Sequence, residues 1–222
     1  MTRYEEIASM IDHSLLRPNL TEQQVLDGCK LADEYKVASV CVRPCDVKLA
    51  ADYLQDSPVL VTTVIGFPHG SSTTQAKLEE AKEAIYDGAL ELDVVLNIGK
   101  MKSGKYEEVL DDLKPIVDYA HKRHVKIKVI FENCFLNVHE IIKACQICNE
   151  LSVDWVKTST GYGTGGAEVQ DIRVMQENTH PSIEVKAAGG IRNLEKALQM
   201  KELGCTRIGA TATREILDAL KK

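Results

Sequence analysis

The sequence has few prolines and few aromatic residues, and it lacks a long hydrophobic run. There are six prolines, and phenylalanine, tryptophan and tyrosine together make up 5% of its 222 residues. No apolar run approaches the roughly 18 residues that a membrane-spanning helix needs. The first residues also lack the basic-then-apolar order of a signal peptide. These absences argue against a membrane or secreted protein, so we expect a cytoplasmic one.

Charge and cysteine content narrow the class of protein further. The formal net charge is -6 at pH 7, and residues of both signs are spread along the chain. We therefore expect neither nucleic acid nor membrane among its partners. The seven cysteines are odd in number and irregularly spaced, which favours reduced thiols over a disulfide framework. Cys145 and Cys148 form one CxxC, which we interpret as two thiols on a helix, with a zinc site as the alternative. The six histidines show no metal-ligand spacing, so no metal site is predicted.

Short aliphatic runs alternate with longer stretches of helical spacing. The runs predict strands at 11–15, 39–42, 60–65, 90–96, 126–131, 155–157, 183–187 and 207–209. Helices are predicted at 21–35, 74–86, 106–124, 138–150, 168–178, 193–203 and 211–220. A strand–helix unit repeated about every 28 residues predicts one α/β domain over residues 1–222, a (β/α)₈ TIM barrel. The alternative is an open doubly wound sheet, which often carries a GxGxxG turn after its first strand, and none occurs here.

Alternation along the predicted strands indicates which side chains enter the barrel, because successive residues face opposite sides. In the fourth strand leucine and valine occupy one face, so Glu91 and Asp93 point inward. The same argument predicts inward-facing residues on the fifth and seventh strands: Lys126, Lys128, Ile130, Glu132, Glu184, Lys186 and Ala188. Charges removed from water cost several kcal/mol unless they are paired. We therefore expect the interior lysines and carboxylates, Glu184 included, to neutralise one another.

Three of these charged residues fall near the carboxyl ends of strands, where active sites of this fold lie: Asp93, Lys157 and Lys186. A lysine amine is a nucleophile only when it is unprotonated, so its pKa must fall from about 10.4. A second ammonium about 7 Å away contributes roughly 2.4 kcal/mol of repulsion at an effective dielectric near 20, a little under two pKa units. Desolvation acts in the same direction. A functional lysine pair and a purely structural ion-pair network both remain open on this argument alone.

Two motifs point to a family. The segment VKTSTGYGTGG (156–166) places Lys157 at a strand end before small hydroxyl residues and glycines, and VKAAGGIR (185–192) follows on the next strand. Together they resemble the two signature regions of the deoxyribose-phosphate aldolase family. Further matches occur in family order: IDHSLL (11–16), SVCV (39–42), VIGFPHG (64–70), GALELDVVLNIG (88–99) and KVIFE (128–132). The resemblance covers residues 11–209.

The resemblance implies that Lys157 forms the Schiff base, that Lys186 depresses its pKa, and that Asp93 is the proton-shuttling carboxylate. It implies a class I aldolase, a lyase that reversibly cleaves 2-deoxy-D-ribose 5-phosphate to D-glyceraldehyde 3-phosphate and acetaldehyde in nucleoside catabolism. The iminium acts as the electron sink, so no cofactor is expected. Two alternatives stay open: a related Schiff-base aldolase with another phosphosugar acceptor, and a non-catalytic barrel that binds sugar phosphates.

Substrate-binding residues follow from the same resemblance and from one physical argument. Gly189 and Gly190 precede a predicted helix, whose free backbone N–H groups favour an anion, and Gly209 to Thr211 could supply a second such edge. The family pattern adds more residues around the substrate: Asp12, Ser14, Thr160 and Gly161. By family position Cys41 would also line the pocket near the substrate, with a small core residue as the alternative, and it is not counted among the catalytic residues.

The chain departs from the family pattern in three places. Thr211 and Ala212 stand where two serines are usual, which predicts weaker phosphate affinity. Many members end in a terminal tyrosine that assists proton transfer, whereas the last tyrosine here is Tyr162, so we expect slower proton transfer or another donor. Asn133 replaces a common threonine, without an evident consequence. A homodimer is the expected assembly.

Overall fold

Eight parallel strands close into a barrel in the computed structural model, which describes residues 2–221. The strands are β1 (Ile11–Leu15), β2 (Ser39–Val42), β3 (Leu60–Ile65), β4 (Glu91–Val95), β5 (Lys126–Ile130), β6 (Trp155–Lys157), β7 (Glu184–Ala188) and β8 (Arg207–Ala210). Each strand pairs with the next one along the chain, and β8 pairs with β1 to close the ring. The predicted (β/α)₈ TIM barrel is confirmed, and the open-sheet alternative is wrong.

Ten α-helices occur within residues 2–221. They are α1 (Arg3–Ala8), α2 (Glu22–Tyr35), α3 (Val47–Tyr53), α4 (Thr74–Tyr86), α5 (Ile98–Lys102), α6 (Tyr106–His121), α7 (Val138–Leu151), α8 (Val169–Asn178), α9 (Leu194–Glu202) and α10 (Thr213–Asp218). The seven predicted helices are present, with ends shifted by up to three residues. The helices missed were α1, α3 and α5, which have at most seven residues and are too short to show a helical period. Within the described residues, no helix combines the length and apolarity needed to cross a bilayer.

Side-chain caps determine where several loops at the carboxyl ends of the strands give way to helix. Asn137 accepts a hydrogen bond from the backbone of Glu140, and Glu140 caps the Asn137 backbone in return. Asn193 accepts from the Lys196 N–H at the start of α9. The α9 cap matters for the site, because it fixes the first turn of this helix directly after Gly190.

The predicted alternation of side chains is confirmed in the middle of the barrel and for Glu91 at its amino end, but it is wrong for Lys126 and Glu184. Leu92 belongs to the hydrophobic core, whereas Asp93 and Lys128 are fully buried inside the ring. Lys126 and Glu184 are exposed, because each is the first residue of its strand and faces solvent below the barrel. Glu184 accepts a hydrogen bond from Thr206 instead of pairing with an interior lysine.

Outside the barrel, a buried ion pair joins α4 to α6. Lys77 lies 2.6 Å from the Asp112 carboxylate, and neither side chain is more than 2% exposed. The Lys77 Nζ also donates to the Val95 carbonyl at 2.9 Å, and the Thr74 hydroxyl donates to Asp112 at 2.7 Å. Every polar atom of this pair therefore has a local partner, and we refer to it as the helix-layer pair.

Candidate active site

A cavity of about 430 Å³ opens at the carboxyl ends of the strands. Every predicted substrate-binding residue lines it, and so do two of the three predicted catalytic residues: Asp12, Ser14, Lys157, Thr160, Gly161, Lys186, Gly189, Gly190, Gly209 and Thr211. The third, Asp93, lies directly beneath and contacts both lysines. The fold thus brings together in one place all the residues that were predicted to be catalytic or substrate-binding.

Lys157 is the last residue of β6, and its amine lies at the base of the cavity. The residue is 3% exposed, and its Nζ lies 2.6 Å from Asp93 Oδ2. Burial lowers the pKa of Lys157, the Lys186 ammonium lowers it further, and Asp93 opposes both effects without cancelling them. The result is a buried amine with a pKa below its usual value and an open side facing the cavity.

Lys186 lies on the neighbouring strand, directly opposite Lys157 in the β6–β7 register. Its Nζ is 2.7 Å from the same Asp93 oxygen and also contacts Asp12. Burial alone would lower the pKa of Lys186, but Asp12 and Asp93 outweigh burial and raise it above its usual value. Lys186 is therefore held as a cation beside Lys157, and the two amines share one oxygen.

Asp93 is surrounded by three lysines. Its Oδ2 binds Lys157 and Lys186, and its Oδ1 lies 3.0 Å from Lys128, its register partner on β5. Burial would raise the pKa of Asp93, but the three ammonium groups hold it well below the usual value. Asp93 is consequently ionised at neutral pH and bridges the two amines of the cavity floor.

Below Asp93 the charges continue to the bottom of the barrel. Lys128 Nζ lies 2.5 Å from Glu91, and the guanidinium of Arg207 binds Glu91 through both terminal nitrogens, at 2.8 and 3.1 Å. Arg207 also contacts Asp12 at 2.5 Å. We call the connected set the interior charge cluster: Asp12, Glu91, Asp93, Lys128, Lys157, Lys186 and Arg207.

Arg207 is the member of this cluster that the sequence analysis missed. It is the first residue of β8, at 9% exposure, and it stands opposite Lys186 in the β7–β8 register. The signal was available, because alternation along β8 puts Arg207 on the same face as Gly209. The side chain remains inside because its guanidinium reaches over the bottom layer to two carboxylates, whereas Glu184 has no such partner.

Trp155 lies between the bottom of the cluster and the amino end of the barrel. Its ring centroid is 5.4 Å from Lys128 Nζ and 5.1 Å from the Arg207 guanidinium carbon. Its indole N–H donates to Thr206 at 3.0 Å. The indole therefore separates the interior charges from solvent with a face that favours cations.

The glycine segments form the upper rim of the cavity. Gly189 and Gly190 have φ values of 89° and 81°, a conformation that other residues rarely adopt. The backbone of Gly166 packs so closely on Gly189 that a Cβ on Gly166 would lie 2.4 Å from the Gly189 carbonyl oxygen. This turn directs the chain into the capped start of α9, where free backbone N–H groups are suited to an anion.

The loop after β6 is held by hydrogen bonds to neighbouring loops. Glu132, just beyond β5, accepts from the Thr160 N–H at 3.1 Å and from its hydroxyl. The Tyr162 hydroxyl donates to the Leu16 carbonyl at 2.8 Å. Glu132 thus lies in this loop layer, beyond the end of its strand, and not inside the ring as predicted.

Three further residues were singled out in the sequence: Cys41, Ala212 and Asn133. Cys41 is buried at the cavity wall, where burial and Asp93 raise the pKa of its thiol to about 11, so it is neutral at pH 7. Ala212 is the residue before α10 and makes no side-chain cap. Asn133 lies behind the loops, with its amide nitrogen 3.4 Å from the Met175 sulfur.

A barrel with a buried lysine pair at its carboxyl face has the architecture of a class I aldolase, and comparisons with known proteins agree. The family model for DeoC/LacD family aldolases matches residues 7–219. A deoxyribose-phosphate aldolase from Rhodopirellula baltica is 47% identical over 220 residues, covering 99% of this chain and 91% of that one. The chain therefore belongs to the DeoC/LacD family of aldolases.

Solved structures show the same similarity. The structure described as "QR15, an Aldolase" is 39% identical and superposes with a TM-score of 0.92, covering 97% of this chain and 96% of the other. A deoxyribose phosphate aldolase from Aeropyrum pernix, described as having a tetrameric structure, is 30% identical with a TM-score of 0.91 and covers 98% and 92% of the two chains. The similarity extends over nearly the whole length of both relatives.

Proposed function

We propose that this chain is a class I deoxyribose-phosphate aldolase in which Lys157 is the nucleophile. It cleaves 2-deoxy-D-ribose 5-phosphate reversibly to D-glyceraldehyde 3-phosphate and acetaldehyde. The observation that carries this assignment is the shared contact of Lys157 and Lys186 with Asp93 Oδ2 at the base of an open cavity. One of these two amines has a lowered pKa and the other a raised one, which is the division of roles that amine catalysis needs.

In the cleavage direction, the neutral Lys157 amine attacks the C1 aldehyde, and loss of water leaves an iminium. Removal of the proton from the C3 hydroxyl then allows the C2–C3 bond to break, and its electron pair moves into the iminium to form an enamine. Glyceraldehyde 3-phosphate departs, the enamine gains a proton at C2, and water releases acetaldehyde from Lys157. The iminium supplies the electron sink for the bond that breaks.

Asp93 and Lys186 assist the proton transfers in these steps. Asp93 Oδ2 contacts both amines, so a proton can pass from one to the other through it. Because the ammonium groups of Lys128 and Lys186 keep Asp93 ionised even when Lys157 is neutral, Asp93 retains a proton only briefly and returns it to a lysine. Lys186 remains charged and stabilises the hydroxyl and carbonyl oxygens near C1.

The phosphate is bound at the rim of the cavity. Gly189 and Gly190 lead into the capped start of α9, and Gly209 and Thr211 line the same cavity at the end of the adjacent strand β8. Backbone N–H groups at such an edge are donors with a favourable dipole for a dianion. Asp12, Ser14, Thr160 and Gly161 line the wall between this rim and the lysine, where the sugar hydroxyls lie.

Reductive trapping tests the assignment directly. Incubation with acetaldehyde and borohydride should add one ethyl group, which peptide mapping should locate on Lys157. Lys128 and Lys186 are controls within the same molecule, because both are buried in the same cluster but are held as cations. A barrel that only binds sugar phosphates would gain no covalent mass, and label on another lysine would contradict the role of Lys157.

Assembly and location are further parts of the proposal. We propose a homodimer, and light scattering at micromolar concentration would distinguish it from a monomer or from a tetramer like that described for the A. pernix relative. All seven cysteines are unpaired, and five of them are buried, which suits a reducing compartment such as the cytoplasm. Fractionation of the source cells would test this location.

A further inference from the structure

The interior charge cluster has a surplus of cations over carboxylates. Within the part of the chain that the structure describes, it contains three carboxylates and four cationic side chains, each at most 9% exposed. The members contact one another without interruption, from Arg207 and Glu91 at the bottom, through Asp12 and Lys128, to Asp93 and the two upper lysines. Buried charges are stable only when they balance. This interior is neutral when one of its four cations loses its proton.

Geometry selects which cation that is. Arg207 is never deprotonated in proteins, and Lys128 contacts both Glu91 and Asp93 at 3.0 Å or less. Lys186 contacts Asp12 and Asp93. Lys157 touches a single carboxylate and is also the lysine at the cavity. The four cations therefore differ in the number of carboxylates beside them, and Lys157 has fewest.

We propose that Arg207 and Glu91 form a positioning pair whose opposite charges offset each other, so that the Lys157 amine is the member of the cluster that loses its proton. This inference rests on the proposed function and adds to it two residues that do not touch the substrate cavity. Arg207 binds Glu91 through two nitrogens and also holds Asp12, which in turn holds Lys186. The Thr62 hydroxyl donates to Glu91 at 3.1 Å, and the Ser39 hydroxyl donates to Asp12 at 2.7 Å.

The charged groups around Lys157 come from several strands. Asp93 of β4 and Lys186 of β7 lie nearest, and the neutral thiol of Cys41 faces it from β2. Beyond these are the remaining members of the cluster: Asp12, Glu91, Lys128 and Arg207. Lys128 Nζ lies 2.5 Å from Glu91 and 3.0 Å from Asp93, so Glu91 lies one layer below Asp93 and farther from Lys157. At a separation of roughly 10 Å and an effective dielectric near 20, one charge shifts the pKa of a lysine by about one unit.

The test is the pH dependence of acetaldehyde trapping on Lys157, measured as the initial rate with cyanoborohydride. Glu91→Gln removes one negative charge from the cluster, so the midpoint of the pH dependence of the trapping rate should move to lower pH by about one unit. Arg207→Met removes one positive charge from the cluster, so the midpoint should move to higher pH by a similar amount. The double variant restores the balance and should return close to the midpoint of the unmodified protein. Arg207→Lys keeps the charge and should also stay near that midpoint.

The matched control is Asp112→Asn, which breaks a buried ion pair of the helix layer and should leave the midpoint unchanged. A purely structural role for the Arg207–Glu91 pair predicts lower stability without opposite shifts. If one of the two single variants does not fold, the other is compared with Arg207→Lys. The direction in which its midpoint shifts then still tests the proposal. Label on Lys157 with midpoints that do not move, or that move in the same direction, overturns the positioning pair alone. Label elsewhere in the unmodified protein overturns the proposed function and this pair with it.

Discussion

Two buried groups of charges in this molecule have different compositions. The helix-layer pair contains one lysine and one aspartate, with a carbonyl and a hydroxyl completing its hydrogen bonds. The interior charge cluster contains four cations for three carboxylates and borders an open cavity. Burial lowers the pKa of Lys77 and also that of Lys157, in each case against the pull of an adjacent aspartate. A lowered pKa alone therefore does not mark a catalytic lysine.

The two lysines differ in the charged groups that surround them. Lys77 lies between two helices, has a dedicated carboxylate, and is fully buried. Lys157 shares its only carboxylate with a second lysine that holds a proton firmly, and it faces the space where a carbonyl would bind. A surplus of cations and an open cavity separate the proposed nucleophile from the structural lysine.

The largest expected effect separates the two lysines themselves. Lys157→Ala should lower turnover on the order of 10⁴-fold or more, and it should abolish trapping, because no other interior amine can form the iminium. Lys77→Met, which removes an equally buried lysine from the helix layer, should retain activity in the fraction that folds. Steady-state cleavage of deoxyribose 5-phosphate is the measurement. Substantial turnover by Lys157→Ala would contradict the comparison.

The next effect concerns stability and belongs to the helix layer. Asp112→Asn leaves the Lys77 ammonium buried without its counter-charge, so the free energy of unfolding should fall by about 3–5 kcal/mol. Urea denaturation measures it. Asp218→Asn, which removes the partner of exposed Lys221, is the matched control and should change the stability far less, because solvent screens this pair. Equal losses in the two variants would show that burial of the pair has no energetic weight.

A smaller effect tests the influence of the Lys186 ammonium on Lys157. Lys186→Leu removes the neighbouring ammonium, so the Lys157 pKa should rise and the acid limb of kcat/KM should move to higher pH. Both amines contact the same Asp93 oxygen, at 2.6 and 2.7 Å, so they lie close together. The expected shift is about two units, from the repulsion of two charges roughly 5 Å apart at an effective dielectric near 20. The sign follows from protonation, because a higher pKa keeps Lys157 charged at pH values where it was neutral before. A profile that stays in place would mean that the two amines do not influence each other.

The smallest effect lies at the rim, away from both groups of charges. Gly190→Ala strains a residue with φ of 81° beside the proposed phosphate site, which costs about 1–2 kcal/mol and should raise KM for the phosphorylated sugar several-fold. Acetaldehyde trapping should be unchanged, because acetaldehyde has no phosphate. Gly104→Ala is the control, since Gly104 has φ of 68° in a turn between α5 and α6 with nothing near its missing side chain. Loss of trapping in Gly190→Ala would place this turn in the chemical step.

Much of the barrel and the placement of the residues in the candidate site followed from strand periodicity and family motifs. Periods of two residues were long enough in β4 and β5 to place Asp93 and Lys128 inside. The same rule was wrong for Glu184 and Lys126, because alternation gives a direction but not the depth at which a strand begins. It was not applied to β8, where it would have indicated Arg207. Contacts between residues nearly 200 positions apart, such as Arg207 with Asp12, depend on closure of the ring and have no local signal.

The single tryptophan offers a consequence beyond catalysis. Trp155 is the only indole in the chain, and cations of the interior charge cluster lie within 5.4 Å of its ring centroid. Indole emission responds to the electric field across the ring, so the intrinsic fluorescence of the unlabelled protein is an optical gauge of the barrel's internal field. Changes in protonation during iminium formation should therefore be visible in real time by stopped-flow emission.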